Sequence, residues 1–179
     1  MSVKAVVTLN IQSFVPWDAS AALADPANCC KATASLNSSD TDKISLTTDP
    51  KDATKFTINL NKPGSNTTLS FVVAPDSSYS GPYTQFVPVG IALKAEHGEG
   101  QEPADPLGTN EFPSVAIGSM DVTDGDGNKQ TMRALTFDKI KNVEDATWDF
   151  LLVIQAIDYN DVLFPVGIVD PRIKSSTHD

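Results

Sequence analysis

Histidine, cysteine and basic side chains are scarce in this chain, and each shortage removes a class of function. Lys plus Arg number 13 against 23 Asp plus Glu, a formal net charge of −10 over 179 residues. No window joins basic residues to interleaved aromatics, so neither nucleic acid nor an anionic membrane surface is expected as a partner. The only cysteines, Cys29 and Cys30, are adjacent. They give no disulfide framework, which suits a reducing cytoplasm, and two neighbouring thiols make a poor tetrahedral metal site.

The two histidines are His97 and His178. His97 sits among Glu96, Glu99, Glu102 and Asp105, but transition-metal sites usually recruit two or more His or Cys ligands, and His178 is near the end of the chain. That cluster reads as a solvated, charged loop. No serine or cysteine lies beside a histidine–acid pair, and neither a GxSxG elbow nor a phosphate-cradling glycine loop is present, so a non-enzymatic protein with no cofactor is expected.

Long apolar runs are missing too. Nothing approaches the roughly 18 uninterrupted apolar residues of a membrane helix. The opening "MSVKAVVTLNIQSF" is interrupted by Thr8, Asn10 and Gln12, and reads as a strand rather than a signal peptide. A helical period is almost absent: "ASAALADPANCC", capped by Asp18 or Ser20 and stopped by Pro26, is the best candidate, with one further turn in "FDKIKNVEDA" at 137–146.

What is present is alternation. Residues 3–11, 43–48 ("KISLTT"), 55–60 ("KFTINL") and 68–73 ("TLSFVV") alternate with period two, divided by turn signals at Asp49-Pro50 and at Lys62-Pro63-Gly64. The last three read as a meander. Further strands are expected at 84–95, 113–122, 130–137, 147–158 and 162–170, about nine in all, which at this length points to two packed sheets. The sequence therefore predicts a single domain over 1–179: an all-β, antiparallel, immunoglobulin-like β-sandwich with Greek-key connections. A long acidic loop at 94–112 is expected to interrupt it. Pro88 and Pro165 lie in apolar runs that share the string "PVGI"; neither can donate to a ladder, so each should mark an edge, a bulge or a crossover, and the pair reads as two similar bends.

Two clusters of acids have the composition of oxygen-ligand loops. "MDVTDGDGNKQTM" spaces Asp124, Asp126 and Asn128 like the start of a helix-loop-helix calcium loop, but Lys129 stands at its glycine position and Leu135 at its glutamate position. With alternating flanks and an Asp-Gly tip, a plain β-hairpin is the better reading. A second acidic tip, "IDYND" at 157–161, leaves open a cation shared by Asp124, Asp126, Asn128, Asp158 and Asp161. Trp17, Tyr79 and Tyr83 are the aromatic residues most suited to stacking on a sugar, whereas Trp148 opens a strongly apolar strand and reads as core.

The carboxyl end, "WDFLLVIQAIDYNDVLFPVGIVDPRI", runs strand, turn and strand into Asp170-Pro171-Arg172-Ile173. With "GPYTQFVPVGIAL" and "LTF" upstream, it resembles the DP-EP family of small bacterial β-sandwich proteins, and more loosely the inclusion-body protein family. The resemblance implies an immunoglobulin-like sandwich without an assigned function. The longer amino-terminal segment and the 94–112 loop depart from that pattern. The expected function is a binding or self-assembling module of the bacterial cytoplasm, a homo-oligomer joined through an exposed edge or face, with a calcium-assisted carbohydrate-binding sandwich as the alternative.

Overall fold

The computed structural model describes residues 3–15, 30–62, 66–95, 112–123, 127–141, 146–158, 166–169 and 172–176. Among them are eleven strands: β1 (Lys4–Phe14), β2 (Cys30–Ser38), β3 (Ile44–Asp49), β4 (Asp52–Asn61), β5 (Thr67–Pro75), β6 (Gln85–Ala95), β7 (Ser114–Thr123), β8 (Lys129–Ile140), β9 (Ala146–Ile157), β10 (Val166–Val169) and β11 (Arg172–Ser176). One sheet has the order β2-β1-β5-β8-β7. The other runs β10-β9-β11-β4-β3, with β6 on the free side of β9. Because β10 and β11 pair with successive halves of β9, they act as one interrupted strand.

Period-two burial places the core. Ala5, Val7, Leu9 and Ile11 of β1, Leu69, Phe71 and Val73 of β5, and Leu135 and Phe137 of β8 face Phe56, Ile58 and Leu60 of β4 and Trp148, Phe150, Leu152, Ile154 and Ala156 of β9. These side chains form one cluster, so the two sheets lie face to face and burial of that cluster is the main force holding them. In β5 the outward Ser70 and Val72 are buried as well, and Ser70 exchanges a 2.9 Å hydrogen bond with Thr136 of β8.

Several expectations need correction. The sheets are mixed and not purely antiparallel: β1 pairs parallel to β5, and β11 parallel to β4. The meander stops after its first hairpin, because β3 pairs with β4 but β5 crosses to the other sheet between β1 and β8. Alternation tells a strand which way its side chains point, and leaves the choice of neighbour to tertiary packing. Eleven strands replace about nine, the additions being β2 and β11. Residues 137–140 continue β8 in place of a helical turn; a bulge opposite Thr67 and Leu69 takes up the extra residue, with Lys139 at φ 57°. Lys94 and Ala95 belong to β6, so the expected 94–112 loop starts later; at its far end Phe112 is buried but still precedes β7, and 96–111 lie outside the described residues. The helical candidate "ASAALADPANCC" lies outside the described residues up to Cys29.

Other expectations hold. β7 and β8 form a hairpin with an unbroken register from Ser114↔Asp138 to Thr123↔Lys129, and Gly127 takes φ 85° at its tip, a conformation that costs glycine little. Pro88 lies on the edge strand β6, where the register with β9 shifts between Pro88 and Gly90. The two "PVGI" strings are not two similar bends: residues 88–91 pair with Leu152–Ile154 of β9 across a register shift, whereas 166–168 pair with Val153–Gln155 from the other side in unbroken register, and Pro165 lies outside the described residues.

Candidate functional site

Two surfaces stand out from the packed interior. The first is an aromatic cap at one end of the sandwich, where β1, β5 and β9 finish and β6 begins. Phe14 lies edge-on to Tyr83 at 5.2 Å and tilted on Phe86 at 5.4 Å, and Tyr79 meets Phe86 edge-on at 5.3 Å. The chain reaches this place through a tight turn: Asp76 accepts hydrogen bonds from the backbone amide (2.9 Å) and hydroxyl (2.6 Å) of Ser78, which hold its carboxyl below the ordinary value of 3.8. Burial holds the Tyr79 phenol above its ordinary 10.0. Its hydroxyl is enclosed with no hydrogen-bond partner of proper geometry among the described residues, the backbone amide of Tyr83 approaching it from one side.

Tyr79 and Tyr83, expected as stacking platforms, are thus half-buried and packed on other rings. Trp17 lies outside the described residues. Trp148, read as core, is fully buried and packs edge-on against Phe112 at 5.4 Å toward the opposite end of the sandwich.

Of the five residues expected as candidate oxygen ligands, Asp124, Asp126 and Asp161 lie outside the described residues. Asn128 sits in the β7–β8 hairpin and Asp158 just beyond β9. Since β8 runs antiparallel to β5, its start lies where β5 ends, and β9 finishes where β6 starts, so Asn128 and Asp158 belong to the same end of the two sheets, one on each. Among the described residues no three His, Cys, Asp or Glu side chains gather as a metal would need.

The second surface is the free edge at β7, which pairs with β8 and with no other described strand. Here the sheets are out of step. β6, the last strand of one sheet, packs across from β5 and β8 of the other, so β7 overhangs it. Val115 and Ile117 stand opposite Phe137 and Leu135 and so on the core-facing side, yet they are 52% and 48% exposed while Phe137 and Leu135 are about fully buried. The burial pattern of β7 is exposed on both faces along nearly its whole length.

Its composition sets it apart from the other edges. From Ser114 to Met120 it carries no charge and no proline, and Asp121, near its far end, accepts a 2.7 Å hydrogen bond from the Thr131 hydroxyl of β8. Sheet edges are ordinarily protected by prolines, lysines, bulges or shortness. β6 has Pro88 and its bulge; β3 is six residues long with a register shift at Thr48/Asp49; β2 shows an exposed Lys31 and faces a bulge between Ile11 and Ser13. β7 has none of these devices. Read alone, "PSVAIGSMDV" announces a strand; that it is an edge follows only from the pairing.

No family model matches the chain, and no curated protein matches it. Among solved structures it is similar to an inclusion body protein (PixA) of Burkholderia cenocepacia, with a TM-score of 0.45 and 8% sequence identity over 99% of this chain and 96% of that one. That neighbour bears the name of the looser family resemblance seen in the sequence, not of the DP-EP family.

Proposed function

We propose that this protein is a non-enzymatic, self-assembling β-sandwich of the immunoglobulin-like kind, working in the bacterial cytoplasm, and that its working surface is the free edge of β7. One observation carries the reading: a ten-residue edge strand, regular in register, uncharged over its first seven residues and bearing two half-exposed aliphatic side chains. Unpaired N–H and C=O groups along such an edge are a template for another strand, and burying the exposed halves of Val115 and Ile117 adds a hydrophobic contribution of about 1 kcal/mol each. The rest of the molecule repels its own kind through a net charge of −10.

Sedimentation velocity of the full chain across a wide concentration range tests this. The mass is expected to rise above 19.1 kDa with concentration, and to do so at lower concentration when salt screens the repulsion. A monomer throughout, at low and high salt alike, overturns the reading.

A further inference from the structure

Resting on the self-assembly reading, we infer that association through β7 stops at two copies: a second copy of this chain adds its own β7 antiparallel to the first, joining two five-stranded sheets into one continuous sheet about a twofold axis.

Closure follows from the number of usable edges. An open filament needs two different adhesive edges on each copy, one to give and one to receive. Here β6 lacks a donor at Pro88 and kinks beside it, β3 is short and bulged, β2 presents Lys31 to solvent, and β10, which ends the order of the other sheet, is only four residues long. With β7 alone unguarded among the described edges, the edge can pair only with its equivalent. The two β7 strands then occupy each other.

Charge selects a second copy over an unrelated charged partner. A ligand rich in one sign would meet no countercharge between Ser114 and Met120. Two chains of −10 can approach closely only where charged side chains are absent, since screening confines their repulsion to roughly 10 Å or less at ordinary ionic strength. The neutral edge is such a place.

Side-chain register agrees. About a twofold axis, residues of one parity oppose residues of the same parity, because N–H and C=O groups point outward on alternate residues. An axis at Ala116 sets Val115 against Ile117 of the second copy, twice over, and Ser114 against Gly118. An axis at Ile117 sets the two Ile117 side chains face to face. Either way the overhanging aliphatic pair on the core-facing side finds an aliphatic partner at cross-strand distance, and the two copies of Asp121 stay away from each other.

The test is multi-angle light scattering on the full chain and three variants, each checked for a cooperative thermal melt. The wild type is expected to plateau at two copies of the 19.1 kDa chain. Ile117→Lys should weaken dimerisation by about tenfold or more, because an axis at Ile117 sets the two lysines against one another and an axis at Ala116 replaces two Val115–Ile117 contacts with Val115–Lys pairs. Should Ile117→Lys melt early, Ser119→Lys brings the same charge to the edge without removing an apolar contact and should act alike. Ser35→Lys, at an exposed position of β2, should stay dimeric. A mass that climbs past two copies, a dimer that survives both β7 lysines, or a dimer lost in Ser35→Lys overturns the two-copy closure through β7 while self-assembly stands. A wild type that never leaves one copy overturns the self-assembly reading itself.

Discussion

Phe14, at the end of β1 in one sheet, lays its ring into the space that a side chain on Gly167, in β10 of the other sheet, would fill. A Cβ on Gly167 would collide with the Phe14 ring edge, so this glycine serves as a seat for an aromatic ring and links the two sheets at the capped end.

Gly167→Ala should therefore destabilise by about 1–3 kcal/mol in a urea melt, the usual cost of forcing atoms into a packed site. Phe14→Ala should cost about 2–3 kcal/mol, less than a fully buried phenylalanine because Phe14 is only half-buried. In the Phe14→Ala background the added methyl has room, so Gly167→Ala should then cost little or even recover stability. Equal costs in both backgrounds would show that the ring and the glycine are not coupled.

Tyr79 stands over Gly81 in the same way, its phenol end occupying the space of the missing Cβ. Burial raises the Tyr79 pKa, so the neutral phenol contributes stability in full below the ordinary 10.0, and that contribution is lost as pH rises through the raised folded value. An alkaline absorbance titration should show a phenol ionising above 10.0, absent in Tyr79→Phe and returned toward the ordinary value in Gly81→Ala, where the ring is displaced. An unchanged late component in Tyr79→Phe would contradict the assignment.

Asp76 gives the acid-side counterpart. Hydrogen bonds from Ser78 lower its folded pKa beneath 3.8, so the ionised carboxylate stabilises the turn above that value and the contribution disappears as pH falls through the lowered one. Asp76→Ala should melt at lower temperature than wild type at neutral pH, with the gap closing below 3.8. A gap that persists undiminished in strong acid would assign it to the turn's shape rather than its charge.

Much of the fold is legible in the sequence because burial follows period two. Val7, Leu9 and Ile11, or Phe150, Leu152 and Ile154, announce both a strand and its inward face. β2 escaped because its inward residues after Cys30 are Ala32, Ala34 and Leu36, mostly too small to mark an apolar face beside the polar positions. Pro88 did foretell an edge, since a missing N–H is tolerated only there or at a bulge. The parallel pairing of β1 with β5 has no local signature, because neighbours in a sheet are chosen by the whole core. For the same reason β7 reads as an ordinary strand. Its signal was negative, a strand with neither lysine nor proline in an acidic chain, and it gains meaning only once β6 is seen to stop one strand short beneath it.

Amide hydrogen exchange followed as a function of protein concentration tests the β7 contact most directly. In a single copy, the amides of Ser114–Thr123 that point away from β8 face solvent and exchange fast; once a second copy pairs there, they are held in a ladder. Protection should rise with concentration in β7 while β2, β3 and β6 stay unchanged. Protection gained on those edges instead, or no gain in β7 at concentrations where the mass has doubled, would contradict assembly through β7.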